Sequence, residues 1–259
     1  MPSHIFSRLG MWEEVAEWNE RSAEAAKRQP LNGMESMHYP HALDYLMFAY
    51  LQMGDEESAR ETLERIEEIE EVEPIWGSSW GISAARARYY VEREDWEGAA
   101  NLQPDYPDAL PWDDFPAEQA IIHYARGLGA AHTGNLEQAA AELEEIEASI
   151  DRLRSEGADY FVPRTEVLSL TVKAWMTYYD GDVDRALSLM REASDLEDSY
   201  EVSSVHPGPI RDARELYGQM LVLEGRNEEA RRAFERSLER VPNRTHAVAS
   251  LERISDGAR

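Results

Sequence analysis

His4, His38, His41 and Asp44 are the residues whose types and spacing could do chemistry. His38 and His41 stand three residues apart and so can share a helix face, as can His41 and Asp44, and a helical register brings His4 alongside from the preceding helix. Imidazoles with one carboxylate suit Zn²⁺ or another divalent metal. The other reading is a hydrogen-bonded structural cluster, because Pro40 interrupts the helix start and histidines at a helix N-terminus commonly cap or pack. That second reading is preferred, so no metal and no cofactor is expected. His123 and His132 flank the small-residue run YARGLGAAH, in which Gly127 and Gly129 permit close packing. No strand precedes it and no lysine follows, so it is not a phosphate loop. The chain has no cysteine, which removes disulfides, thiolate metal sites and thiol nucleophiles. It has no G-x-S-x-G, no H-E-x-x-H and no defensible Ser/His/Asp order. Paired carboxylates say little in so acidic a chain. No catalytic residue is assigned, and the chain is expected not to be an enzyme. Trp175, Tyr178 and Tyr179 offer stacking surfaces, with Tyr178 read as interhelix core.

These side chains must be positioned by helices, since no period-two strand pattern persists anywhere and the apolar spacing is helical throughout. The class is all-α. The 259 residues carry 52 acids against 26 basic residues, a net charge of −26, which makes nucleic acid a poor partner. Lys27 and Lys173 are the only lysines. An acid-rich, lysine-poor balance is similar to that of proteins from salt-accumulating organisms, and equally to the outcome of GC-rich codon bias. The acidic run from Asp55 to Glu73 reads as a solvated helix face. No apolar run approaches the ~20 residues of a membrane span, and Met1 to Arg28 lacks the order of a signal peptide. A cytoplasmic protein without membrane contact is expected. The segment from Gln103 to Pro116 holds four prolines, which forbid helix and leave a connector or a lid over a groove. A second connector runs from Tyr200 to Pro209.

The stretch GQMLVLEGRNEEARRAFERSLERVP, Gly218 to Pro242, spells out a helical hairpin. Small Gly218 admits a neighbouring helix, Gly225 ends the first helix, Ala230, Phe234 and Ser237 share a face of the second, and Pro242 stops it. Five relatives of this turn precede it, at Gly10, Gly54, Glu94, Gly134 and Gly181, at intervals of 44, 40, 40, 47 and 44 residues. Five places after each turn comes Val15, Ala59, Ala99, Ala139, Ala186 or Ala230, small as a close helix crossing demands.

On these residues the chain resembles the tetratricopeptide repeat (TPR) superfamily from end to end, with a period longer than the usual ~34 residues. MPSHIFSRLG with Trp12, and HALDYLMFAYLQ at His41 to Gln52, look like a group of uncharacterised bacterial TPR proteins, in which Met1 would match an internal methionine. The resemblance implies a single right-handed α-solenoid domain over residues 1–259. It would hold five complete hairpins, a partial one at the N-terminus, and a capping helix from Thr245 to Ile254. It also implies a concave groove that binds a peptide or partner protein. Carried over, the groove positions fall on His4, Arg8, His41, Asp44, Phe48, Arg88, Tyr124, His132, Trp175, Tyr179 and Gln219. The lysine- and asparagine-rich clamp for a chaperone's terminal carboxylate is absent. A protein-interaction scaffold is therefore the expected function. The alternatives are a small-molecule or divalent-metal site, enzymatic or not, near His4, His41 and Asp44, and self-association through the exposed N-terminal hairpin.

Overall fold

The computed structural model describes residues 2–201, 205 and 207–257, and its regular structure is helical, with no strand among the described residues. Thirteen α-helices follow in order among those residues: α1 (Ser3–Arg8), α2 (Trp12–Lys27), α3 (His38–Met53), α4 (Glu56–Glu67), α5 (Trp76–Glu92), α6 (Trp96–Ala100), α7 (Pro116–His132), α8 (Leu136–Ser155), α9 (Val162–Tyr179), α10 (Val183–Asp198), α11 (Ala213–Leu223), α12 (Asn227–Arg240) and α13 (Thr245–Gly257). The connector from Tyr200 to Pro209 falls partly outside the described residues, as do Met1 and the last two residues of the chain. None of the described helices is long and apolar enough to cross a membrane.

All six turn positions have the same backbone. Gly10, Gly54, Glu94, Gly134, Gly181 and Gly225 all carry positive φ, from 56° at Glu94 to 96° at Gly181. The next residue's N–H reaches back five places to the preceding helix, from Met11 to Phe6, Asp55 to Tyr50, Asp95 to Tyr90, Asn135 to Ala130, Asp182 to Thr177 and Arg226 to Leu221, at 2.8–3.1 Å. This is the Schellman bond that satisfies a helix's last carbonyls. The side chains of Asp55, Asp95, Asn135 and Asp182 then cap the following helix. One dipeptide thus ends one helix and starts the next, which is why a short sequence signal recurs. Glu94 takes the left-handed conformation without being glycine, and its carboxylate is held by Arg211 at 2.9 Å and Gln219 at 3.1 Å.

The small residues five places on are all fully buried: Val15, Ala59, Ala99, Ala139, Ala186 and Ala230 each show 0% exposure. A Cβ on Gly218 would lie 2.7 Å from the Phe234 ring, so α12 presses directly on the α11 backbone there. Ala230→Trp should therefore destabilise the last hairpin by about 1–3 kcal/mol or more through overpacking. Glu228→Ala, on the exposed face, should leave the urea midpoint nearly unchanged. Equal shifts from the two would mean that the register is wrong.

Each hairpin packs on the next: α3 lies on α5, α5 on α7 and α7 on α9, while α2, α8 and α10 pack against α3, α9 and α11. The chain then returns to its start. Trp12 Nε1 donates to Asn243 O at 3.0 Å, and Thr245 N donates to Gln52 Oε1 at 3.0 Å. The short α6 leaves a gap beside α4 and α5 that the proline-rich segment fills, burying Leu110, Trp112 and Phe115 in the core of α2–α5. Tyr106 of that segment donates to the carbonyls of Glu67 and Ile69, so this stretch is a packed connector.

Candidate functional site

Val205 and residues 207–211 cross the faces of α1, α3 and α5. The Arg8 guanidinium donates to Pro207 O at 3.0 Å and the Tyr45 hydroxyl to Val205 O at 3.3 Å. Arg88 Nη1 donates to Pro209 O at 2.5 Å and Ile210 O at 3.2 Å, and its Nη2 to Gly208 O at 3.4 Å. Arg211 in turn donates to Val91 O at 3.3 Å. Burying a connector leaves its backbone polar groups to be matched. Here Pro207 and Pro209 have no N–H to satisfy, and the guanidiniums supply donors for the carbonyls. The result is a connector held against α1, α3 and α5 through its main-chain carbonyls.

Arg88 is fully buried and also faces Asp44 Oδ1 at 3.4 Å. Its guanidinium lies 4.7 Å from the Phe48 ring centre, and that of Arg244 lies 5.5 Å from it, so Phe48 sits between two cations. Arg244 holds Glu215 Oε1 at 2.6 Å and Oε2 at 3.0 Å, and Glu92 Oε1 at 2.8 Å, with all three residues buried. This network ties α5, α11 and the α12–α13 junction together. Burial pushes the Asp44 carboxyl up to about 6 despite Arg88. Burial also pushes Glu92 up, yet Arg244 and His246 outweigh it and hold the group below its ordinary value.

The sequence-derived positions divide between two places. His4 and His41 come together, Nε2 to Nε2 at 3.2 Å, with His4 stacked on Tyr45 at 5.0 Å. Burial, and then His4 beside it, lowers His41 to about 4. Asp44 turns to Arg88 instead, and His38 is exposed. No three His, Asp or Glu among the described residues are grouped to hold a metal. Pro40 does not interrupt α3 but lies in its first turn, where an N–H would have no helical partner.

His132, Trp175, Tyr179 and Gln219 form the second group. His132 stacks on Trp96 at 3.9 Å and lies 4.3 Å from Trp175. Its Nδ1 meets the Tyr179 hydroxyl at 2.8 Å. Trp175 is buried and Tyr179 exposed. Tyr124 is buried in the wall of a pocket between α5, α7 and α9. Tyr45, Glu92, Arg211 and Arg244 escaped sequence reasoning, while Glu215 falls with Gln219 on the groove register of the final repeat.

Glu118, at the start of α7, is buried with Oε1 unpartnered. Burial raises it to about 8. An acid whose folded pKa exceeds its unfolded value binds an extra proton when folded, so its contribution to stability falls as pH rises from about 4.5 to about 8. Glu118→Gln should therefore stabilise the fold at pH 9 by an amount on the order of a few kcal/mol and change little at pH 5. Melts at both pH values check this, and an equal shift at the two would contradict it.

Comparison with protein-family models, curated proteins and solved structures returned no match.

Proposed function

We propose that the chain is a right-handed, TPR-like α-solenoid acting as a protein-interaction scaffold that holds an extended segment of a partner on its inner face. One observation carries the reading: that face already holds a connector, Val205 and residues 207–210 of the chain itself, through main-chain carbonyls. Capture through carbonyls is largely indifferent to side chains, which suits a surface for extended segments. The partner takes the part the connector leaves uncovered, at the C-terminal ends of α7 and α9, where exposed Tyr179 stands beside His132. A metal site at His4, His41 and Asp44 has less support, since Asp44 is engaged by Arg88.

A bacterial cytoplasm is the proposed setting. With a net charge of −26, self-repulsion opposes compaction. Melting temperature should rise from about 0.05 to 2 M KCl as the Debye length shrinks; a flat or falling trend would remove the salt-adapted reading. For the scaffold itself, affinity capture from the native organism should retain a partner on the wild type and lose it with Tyr179→Ala at an unchanged melting temperature. Identical capture by both would refute the assigned surface.

A further inference from the structure

A second feature of the inner side is a pocket of about 60 Å³ between α5, α7 and α9, with room for roughly four to six water-sized groups. One arc of its wall is apolar, formed by Trp80, Ile121, Phe161, Leu168 and Ile210. The other arc is polar, formed by Tyr124, Arg164, Glu197, Arg211 and Arg240.

Three of these polar groups are poised to donate. Tyr124 is 2% exposed and lines the pocket. Arg211 is 4% exposed; its Nη atoms go to Val91 O and Glu94, which leaves Nε without an acceptor. Arg164 is clamped between the rings of Tyr160 at 3.7 Å and Tyr200 at 4.3 Å, and donates to Tyr160 O and Glu201 O. It forms no ion pair among the described residues, in a chain with twice as many acids as bases. Arg240, by contrast, is paired with Asp198 at 2.9 Å.

We propose that this pocket binds a small apolar monocarboxylate, its carboxylate on the arc of Arg164, Tyr124 and Arg211 and its hydrocarbon body against Trp80, Phe161 and Leu168. A hydrocarbon alone would leave the buried Arg211 Nε unmatched. An amine would meet three guanidiniums. A phosphate or dicarboxylate would put charge against the apolar arc. The one carboxyl in the wall does not repel the ligand, because burial and then neighbouring Asp212 raise Glu197 to about 8, and it is mostly protonated at neutral pH. Its Oε2 accepts from Ala213 N at 2.8 Å. The pocket is separate from the Tyr179 surface, so this inference stands or falls independently of the scaffold reading.

The test is calorimetric titration of the full chain with butanoate, 1-butanol and butylamine at pH 7. Butanoate should bind saturably, with a Kd on the order of 1 mM. Butanol should bind at least about tenfold more weakly, and butylamine should give no heat of binding. Arg164→Gln should weaken butanoate about tenfold or more and leave butanol unchanged. Leu168→Trp, which fills the apolar arc, should abolish both, and serves if Arg164→Gln does not fold. Absence of butanoate binding, butanol binding as tight as butanoate, or butanoate affinity untouched by both variants would overturn the proposal.

Discussion

Arg244→Ala should cost about 3–5 kcal/mol, the usual penalty for removing one partner from a buried charge network. The substitution strips both Glu92 and Glu215 of the guanidinium they share, and all three side chains are at most 2% exposed. Two carboxylates would then be buried with little compensation, and the protein would respond by protonating them or by opening. Since domains are stable by only about 5–15 kcal/mol, the variant should lose a large part of its stability. Arg244→Lys should not restore it, because an ammonium lacks the fork that reaches Glu215 through two nitrogens and Glu92 through one. Arg226→Ala is the control: its pair with Glu229 is exposed, and its loss should leave the midpoint unmoved. Urea denaturation of the three variants decides the matter. An Arg244→Ala midpoint equal to wild type would mean that the network contributes nothing.

Arg88→Ala should be comparably damaging, at about 3–5 kcal/mol, and differently distributed. It leaves Asp44 buried without its cation and removes the donors to the carbonyls of Gly208, Pro209 and Ile210. Each unmatched buried group costs about 1–3 kcal/mol. Amide exchange should therefore rise first around residues 208–213, ahead of α7–α9. Asp44→Asn in the same background should recover part of the loss, since an amide is cheaper to bury than an unpaired carboxylate. Uniform loss of protection along the chain, with no recovery by Asp44→Asn, would contradict the local role given to Arg88.

The hairpins were legible because their turns are set by local chemistry: a positive-φ residue followed by a capping Asp or Asn writes itself into adjacent positions, and the helix crossing that follows demands a small residue at a fixed distance. Even Glu94 was found by spacing alone. The meeting of His4 with His41 was also within reach, because it depends on one helix lying beside the next. What spans the whole chain was not. Arg88 and residues 208–210, or Arg244 and Glu92, lie more than 100 positions apart, and their pairing depends on how the successive helix packings add up along the chain. Small rotations at each helix packing accumulate, and no local pattern encodes their sum. The place of the connector was not legible for a related reason. Pro207, Gly208 and Pro209 read only as a connector, and the missing N–H groups of the two prolines are what allow such a segment to be buried against arginines.

The central claim is that the face of α1, α3 and α5 captures main chain through its carbonyls, and it can be tested in trans. Residues 205–210 are replaced by a longer Gly-Ser segment, which lacks the prolines' preorganisation and loses more entropy on lying down. A labelled peptide of residues 205–212 is then titrated in by fluorescence anisotropy. The account predicts saturable binding to the folded variant and little to the wild type, where the tethered segment competes at an effective concentration in the millimolar range. A folded variant that binds no peptide, or a wild type that binds it equally well, would contradict it.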